Sequence, residues 1–341
     1  MNKLLTCFAG ALALAFGSTV SMAADPKVNL RLSYWVPPKH KLTAGYKEWA
    51  DHLKKASNGT ITVTLIPSSQ LGSGRDHYDM TKRGVADIGF INPGYTPGRF
   101  PVAGALELPF LIADAYKGAE AMTRFYAQYA AKEMKDVRVC HTFSTPVSTF
   151  HAVKPIRVPA DIKGMRIRAG NATISSLVTS LGGSPVQVPI MEAFETLKRG
   201  ITEGISAAWG GMITFNFGKV VKHHLEMPFY VSGFVNAINP NSYSKLSAAQ
   251  KKILDATCTP EWAARIYKPW HDLEAGLKAR LLKDKNRHIY KLKPAEIALW
   301  RKAAEPVYKQ WAESIAKTGL DPEKVLAELR KELKASGALY E

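Results

Sequence analysis

Three strand-like segments near the N-terminus alternate with two helical ones. The segments VNLRLSY at 28–34, ITVTLI at 61–66 and VADIGF at 85–90 are rich in β-branched and apolar residues. Between them, residues 42–56 carry apolar side chains at helical spacing, and a second helix is expected at about 75–82. Strands that alternate with helices indicate a parallel α/β sheet, in which ligands bind beyond the carboxyl ends of the strands. The order of segments therefore predicts an α/β fold.

Part of this pattern is repeated further along the chain. YDMTKRGVAD at 78–87 resembles FETLKRGITE at 194–203, and both read as helix ends with a Lys-Arg pair before a left-handed glycine. We therefore expect two related lobes that face each other across a cleft. Residues 245–284 and 294–336 are long, charged and helical by period, and such a helix could brace both lobes. Pro269 should kink its helix or mark a helix start.

The N-terminus has the features of an export signal. Lys3 precedes an apolar run at 4–16, and Ser21-Met22-Ala23 matches a signal-peptidase site. The apolar run is too short to span a bilayer comfortably. We therefore predict a signal peptide over residues 1–24 and a soluble periplasmic protein.

The chain is strongly basic for a globular protein. Its 341 residues carry a formal net charge of +17, with 46% hydrophobic and 22% charged residues. Such a charge suits an anionic partner. Export and the even spread of Lys and Arg disfavour nucleic acid, because no basic block of five or more occurs. Two interpretations of the charge remain. It could create a positive field that attracts small anions, or it could simply keep the protein soluble.

Two cysteines follow the predicted signal peptide. Cys140 and Cys258 lie far apart in sequence, and Cys140 belongs to an apolar, strand-like run. An oxidising compartment permits a disulfide. The sequence nevertheless favours two buried free thiols.

The motifs of common enzyme classes are missing. The sequence has no G-x-S-x-G, phosphate-binding loop, dinucleotide fingerprint or H-E-x-x-H. The most metal-like cluster, His223-His224-Leu225-Glu226, is interpreted as a helix end with solvated histidines. We predict no enzymatic activity, no metal and no cofactor. A secreted hydrolase or lyase is the rival hypothesis, and it would need a nucleophile and a base in one cleft.

The most informative residue is Arg168. Arg166 and Arg168 share one face of a short strand, so both could simply lie on a solvated surface. Arg168, however, is the last charged residue before Ala169-Gly170-Asn171, where the strand should end. A guanidinium group is a planar fork that matches a carboxylate and stays charged. This position therefore favours carboxylate binding.

Aromatic residues gather at predicted strand ends and in the loops beyond them, although each alone is also typical of a core. Trp35 and Trp209 precede turns in different lobes, and His40 and Asn92 follow similar strand ends. The predicted ligand-binding residues are Arg168, Trp35, His40, Asn92, Trp209, Phe215, Phe150 and Asn171.

Five short motifs occur in an order that is typical of one family. They are LIPSSQLG at 65–72, LELPF at 106–110, DIKGMRIR at 161–168, GGSPV at 182–186 and EG at 203–204. Their order and spacing resemble the DctP-type solute-binding proteins of tripartite ATP-independent periplasmic (TRAP) transporters. The resemblance extends over essentially the whole mature chain.

The resemblance implies a type II periplasmic binding protein fold, with two α/β lobes around a ligand cleft and a long bracing helix. It places the family's carboxylate-clamping arginine on Arg168. It also implies that the closed form docks onto small and large permease subunits whose transport is driven by an ion gradient. We expect the protein itself to be monomeric. The predicted lobes comprise residues 25–145 with 234–274, and 146–233 with 275–341.

The chain departs from sugar-acid members of that family at several aligned positions. Trp35 stands in place of a polar residue, Asn92 in place of an acid, and Ala207 near an amide position. Ser148 lies near the place of a second arginine. These differences predict an aromatic or hydrophobic monocarboxylate ligand. A C4-dicarboxylate, a sugar acid, or service to a sensor kinase remain alternatives.

Overall fold

The chain folds around two β-sheets in a computed structural model that describes residues 25–340. The predicted signal peptide lies outside the described residues. The strands are β1 (Val28–Ser33), β2 (Ile61–Ile66), β3 (Ile88–Ile91), β4 (Arg138–Ser144), β5 (Ser148–Ala152), β6 (Arg166–Arg168), β7 (Ser184–Val186), β8 (Gly204–Ala208), β9 (His223–Glu226), β10 (Gly233–Ile238) and β11 (His288–Lys291).

Helices cover both sheets. None in the described part of the chain is long and apolar enough to cross a membrane. They are α1 (Lys41–Ala56), α2 (His77–Arg83), α3 (Pro101–Gly104), α4 (Ala115–Glu133), α5 (Ala172–Ser180), α6 (Ala193–Lys198), α7 (Gly211–Thr214), α8 (Pro240–Ser244), α9 (Ala248–Asp255), α10 (Pro260–Leu282), α11 (Pro294–Ala316) and α12 (Pro322–Ala335).

The first lobe is the body built on a five-stranded sheet of order β2-β1-β3-β10-β4. β1 pairs in parallel with β2 and β3, while β10 runs antiparallel to β3 and β4. Leu32, Trp49 and Phe90 are fully buried between this sheet and its helices. The predicted alternation of strand and helix over residues 28–90 is therefore confirmed.

The second lobe is the body built on a six-stranded sheet of order β11-β9-β5-β8-β6-β7. β6 lies in parallel between β7 and β8, and β5 is antiparallel to β8 and β9. The chain crosses between the lobes from β4 to β5, from β9 to β10, and along α10 to β11. These crossings join the lobes in the manner of a hinge.

The long helix α10 contacts both lobes. Its N-terminal half packs against α1 and α4 of the first lobe. Its C-terminal half reaches the second lobe, where Glu274 Oε1 accepts the Gly210 N–H at 2.8 Å and Lys278 pairs with Glu226 at 3.1 Å. Pro269 lies inside this helix and does not begin it. A bracing helix is thus present as predicted.

The C-terminal helix α12 packs on α4 of the first lobe. Arg124 on α4 donates to Glu332 on α12 at 2.8 Å. Helix α12, which belongs to the segment predicted for the second lobe, therefore contacts the first lobe. A terminal helix buries its apolar side against an apolar surface that other elements leave uncovered. The exact residue boundaries between the lobes stay a prediction.

The two repeated helix ends adopt the same backbone geometry. Gly84 after α2 has a φ of +75°, and Gly200 after α6 has a φ of +69°. Both values lie in the left-handed region, where glycine has no steric penalty. The predicted glycine stops are confirmed at both positions.

The two cysteines form a disulfide, so the prediction of free thiols is wrong. Cys140 and Cys258 are joined by an S–S bond of 2.03 Å across 118 residues of sequence. The turn between α9 and α10 folds back onto β4, where His141 Nε2 lies 2.6 Å from the Thr257 carbonyl oxygen. The prediction of free thiols was based on the large separation of the two cysteines in sequence, which does not determine their distance in the folded protein.

Candidate functional site

A cavity lies between the lobes, at the carboxyl ends of β1, β3 and β6. Its volume is about 60 Å³. Side chains from the first lobe, the second lobe and α10 line this cavity and determine its chemistry. They are Trp35, His40, Asn92, Tyr95, Phe234, Ser148, Arg168, Ser206, Phe215, Tyr230 and Trp270.

Arg168 ends β6 inside this cavity with only 2% of its surface exposed. Its Nε and Nη2 donate to the Val188 carbonyl at 3.0 and 2.9 Å, and Nη1 donates to the Ser206 carbonyl at 3.4 Å. Within residues 25–340, no acidic side chain lies within 4.0 Å of its guanidinium nitrogens. A buried charge without a counter-charge is costly, so this position suits an incoming anion.

Arg166, two residues earlier, has a different environment. Its side chain is 51% exposed and lies 3.5 Å from Glu203. The solvated-face alternative therefore holds for Arg166 and is wrong for Arg168. The strand alternation places both side chains on one face, but only Arg168 lies under the first lobe.

The turn after β6 is held by a network that orients Arg168. The Gly170 N–H and the Tyr230 hydroxyl both donate to Ser206 Oγ at 2.8 Å. Asn171 Oδ1 accepts the Ile174 N–H at 2.9 Å and so caps α5. Asn171, which the sequence predicts as a ligand contact, is fully buried and caps this helix, and it does not line the cavity.

An aromatic wall forms the first-lobe side of the cavity. Trp35 stacks on Phe90 with 5.0 Å between ring centroids and packs obliquely on Phe234 at 5.6 Å. Trp35 Nε1 and Asn92 Oδ1 have no hydrogen-bond partner among the described residues. Both predicted residues thus line the cavity and retain unpaired polar atoms, which are uncommon in protein interiors.

His40 adds an uncharged ring to the cavity. Its Nδ1 accepts the Leu42 N–H at 3.2 Å and caps α1, and its ring lies edge-on to Trp270 at 4.7 Å. Burial lowers the His40 pKa to about 4, so the ring is neutral at pH 7. Phe215 stacks beside it at 6.2 Å. Arg168 therefore supplies the fixed charge of this cavity.

Two further predicted contacts lie outside the cavity. Trp209 packs against His151 and His224, with centroid distances of 5.2 and 5.6 Å. Phe150 stacks on Trp300 at 5.6 Å in the core of the second lobe. The sequence indicated where strands end. A position near a strand end does not determine whether the side chain points into the cavity or into the core of the lobe.

The sequence-based set missed several cavity residues. Tyr95 and Phe234 were recognisable as aromatic residues near strand ends, but nothing separated them from core residues. Trp270 lies on α10 at helical apolar spacing, which is equally typical of core packing. Ser206 and Tyr230 belong to no motif. Ser148, near the place of a second arginine, does line the cavity.

Comparison with known proteins identifies the family. The sequence profile of DctP, described as bacterial extracellular solute-binding protein, family 7, matches residues 32–314. The chain belongs to the DctP family. It is 22% identical over 326 residues to the C4-dicarboxylate-binding periplasmic protein DctP of Rhodobacter capsulatus, covering 92% of this chain and 95% of that relative.

Solved structures of TRAP solute-binding proteins share the fold. One from Rhodoferax ferrireducens, in complex with copurified benzoate, has a TM-score of 0.85 and 27% identity. One from a marine metagenome, specific for aromatic acid ligands and crystallised with 3-hydroxybenzoate, has a TM-score of 0.84 and 27% identity. Each similarity covers 91% of this chain and 99% of the other. The two-lobe fold and the assignment as a TRAP solute-binding protein are confirmed.

In this DctP-family chain, the candidate metal cluster has a structural role. His223 and His224 lie in β9, so the predicted helix end is wrong. His224 is fully buried, and its Nδ1 lies 2.8 Å from Nδ1 of His151. Across residues 25–340, no group of three or more His, Cys, Asp or Glu is arranged to hold a metal ion.

The hydrogen bonds of this histidine pair require two neutral rings. His151 Nε2 donates to the Ala207 carbonyl at 3.2 Å, so its Nδ1 accepts from His224 Nδ1. His224 Nε2 in turn accepts from Arg287 Nη1 at 3.2 Å. A further proton on either ring would place two donors face to face. Burial lowers the pKa of both rings, that of His151 to about 3.

Acid should destabilise the DctP-family protein through this pair. Unfolded histidines take up protons below about pH 6.5, whereas the folded pair resists them, so the free energy of unfolding falls as pH drops below 6.5. Each ring contributes up to about 1.4 kcal/mol per pH unit. Urea unfolding between pH 7.5 and 5 should show a shallower decline for His151→Gln/His224→Gln than for wild type. The exposed His52→Gln should match wild type; equal slopes for all three proteins would contradict this role.

Proposed function

We propose that this DctP-family protein captures a small aromatic or hydrophobic monocarboxylate in the periplasm and delivers it to a TRAP membrane permease. The observation that carries the proposal is the buried Arg168 guanidinium, which faces an aromatic cavity without an acidic partner. A bidentate ion pair with a ligand carboxylate would supply the missing counter-charge. Export by a cleavable signal peptide belongs to the same proposal.

The charge of the cavity favours a single carboxylate. Its described lining residues include no Lys, Asp or Glu, and His40 is neutral at pH 7. A second carboxylate would be buried without a counter-charge, at a cost of several kcal/mol. This argues against the C4-dicarboxylate alternative.

The shape and polarity of the cavity favour a flat apolar ligand body. Trp35, Tyr95, Phe215, Phe234 and Trp270 supply five aromatic rings. A sugar acid carries a hydroxyl on nearly every carbon, and each hydroxyl needs a partner when buried. Two similar TRAP proteins bind benzoate and 3-hydroxybenzoate. The proposed ligand therefore resembles these aromatic acids in chemistry and size.

Contacts across the cleft support capture by closure of the lobes. The Tyr95 hydroxyl in the first lobe accepts the Ile190 N–H at 3.1 Å and lies 3.4 Å from Arg168 Nη2. Gln187 Nε2 donates to the Gly94 carbonyl at 3.0 Å. The anion-binding residue is thus connected to both lobes, so a bound carboxylate would favour the closed arrangement that a permease recognises.

A ligand panel tests the proposal. Benzoate and 3-hydroxybenzoate at 100 times their dissociation constant should stabilise the protein by about 2.7 kcal/mol, which raises its melting temperature by several degrees. Succinate, glucuronate and the uncharged control benzamide should leave the melting temperature unchanged. A larger shift with succinate than with any aromatic acid would contradict the proposal.

The same samples test for catalysis. A transport protein should return benzoate unchanged, so proton NMR after prolonged incubation should show only the added acid. New resonances that depend on the protein would support the hydrolase or lyase hypothesis instead.

A further inference from the structure

A buried acid lies at the junction of the lobes, apart from the ligand cavity. Glu107, the acid of the LELPF motif, is 2% exposed. Its Oε1 accepts the N–H of Gly233, the first residue of β10, at 3.1 Å. The Asn171 side chain, at the start of α5 in the second lobe, also lies beside it. Glu107 therefore contacts the first lobe, a crossing segment and the second lobe.

Gly94 shows how closely these segments meet. A Cβ atom built on Gly94 would lie 2.6 Å from Glu107 Oε1 and 2.6 Å from the Asn171 Cβ. Gly94 also provides the carbonyl that accepts from Gln187 of the second lobe. Any separation of the lobes at this point must pull Asn171 away from Gly94 and Glu107.

A groove beside Glu107 offers a path for water. It runs between the segment from Pro93 to Gly104, helix α5 and helix α11, and its volume is about 450 Å³. Its other lining residues are apolar or neutral, and none of them is titratable. Opening the lobes would widen this groove and hydrate the carboxyl group.

The titratable and charged groups that face Glu107 are few. Tyr230, before β10, is the titratable neighbour, and burial raises its pKa above the ordinary range, so it stays neutral. Arg168 of β6 lies beyond Tyr230 and is always charged. The segment around Gly94, α3, α5 and α11 contribute no ionisable side chain to the groove. Within residues 25–340, no ion pair therefore compensates an ionised Glu107.

We propose that Glu107 is a positioning residue for lobe closure: it joins the lobes as a neutral carboxylic acid, and closing around the ligand takes up one proton from solvent. In the open form this carboxyl group would be hydrated and ionised, and on closing the carboxylate would gain one proton from solvent and become the neutral carboxyl group. The inference rests on the proposed function only in assuming capture by closure.

The direction of the pH dependence follows from the geometry. Burial raises the pKa of Glu107 from 4.5 to about 8 in the closed arrangement, against smaller opposing effects of the Gly233 N–H and Asn171. Closure should therefore be favoured below pH 8 and lose this advantage as pH rises through 8. With benzoate as the probe, affinity should fall about tenfold between pH 7 and pH 9.

Calorimetry can count the proton directly. Titration of full-length mature protein with benzoate at pH 7.5, in buffers of different ionisation enthalpy, should show uptake of about three quarters of a proton. Glu107→Gln mimics the neutral acid without having to take up a proton, so at pH 7 it should bind benzoate more tightly than wild type, by as much as about 300-fold, and it should lose both proton uptake and pH dependence. At pH 7.5 the histidines contribute little, and the comparison with Glu107→Gln cancels their share.

A second buried acid provides the matched control. Glu274 on α10 also has its pKa raised by burial, to about 7, but it binds Gly210 and does not face the groove. Glu274→Gln should keep the proton uptake of wild type. Uptake that persists in Glu107→Gln, or disappears in Glu274→Gln, would overturn the inference.

A ligand-free measurement separates this inference from the proposed function. Small-angle X-ray scattering should show a larger radius of gyration for wild type at pH 9 than at pH 5, and no change for Glu107→Gln. If benzoate fails to bind but this difference is found, only the proposed ligand class is wrong. Equal radii at both pH values would overturn the role of Glu107.

Discussion

Replacing Arg168 by alanine is expected to weaken the binding of benzoate by roughly two to three and a half orders of magnitude. Loss of one partner from a buried, hydrogen-bonded ion pair typically costs about 3–5 kcal/mol, because the other charge stays buried and unpaired. Here the ligand carboxylate would lose its counter-charge in a cavity that offers no other fixed positive group. Isothermal titration calorimetry measures the effect directly.

Two control variants separate this role from simple structural damage. Arg168→Lys keeps the charge but loses the planar fork and its two bonds to the Val188 carbonyl, so it should bind more weakly than wild type. Arg166→Ala removes the exposed neighbour on the same strand and should leave affinity within about twofold. Arg168→Ala binding an aromatic acid as tightly as wild type would refute the assignment of the carboxylate site.

The ligand-free Arg168→Ala protein provides an independent check. Arg168 is buried without an acidic partner, so its removal relieves a desolvation cost in the empty protein. We expect the melting temperature without ligand to stay level or rise while ligand-induced stabilisation disappears. A large loss of stability without ligand would instead indicate a structural arginine.

Removal of the Cys140–Cys258 disulfide should have the largest effect on stability. The bond closes a loop across 118 residues, and the chain-entropy model predicts a loss of about 4–5 kcal/mol when such a loop is opened. It ties β4 of the first lobe to the segment that leads into α10. Its loss should therefore destabilise the first lobe and the base of the bracing helix together.

The measurement is the free energy of unfolding of Cys140→Ala/Cys258→Ala, compared with oxidised wild type. Reduction of wild type should produce a similar loss, whereas reduction of the double variant should change nothing. Benzoate affinity should stay within a few-fold, because neither cysteine lines the cavity. A double variant as stable as oxidised wild type would contradict the expected contribution.

The prediction of Arg168 shows what one sequence can indicate about a site. The end of a strand and the chemistry of guanidinium are local properties, and together they selected this residue. The same reasoning placed Trp35, His40, Asn92 and Phe215 near the ligand, and the structure places all four at the cavity. It also placed Trp209 and Phe150 there, and these two lie outside the cavity, because the packing of neighbouring strands decides which face of a strand is buried.

The sequence alone determined the α/β order of elements, the left-handed glycines after α2 and α6, and the family. These follow from local periodicity, backbone sterics and the order of motifs, all of which are encoded by neighbouring residues. Only the tertiary structure decided the Cys140–Cys258 bond, the pairing of His151 with His224 and the meeting of Glu107 with Asn171. Each joins residues far apart in the chain, and their proximity results from the packing of two sheets and a shared helix, which no local pattern records.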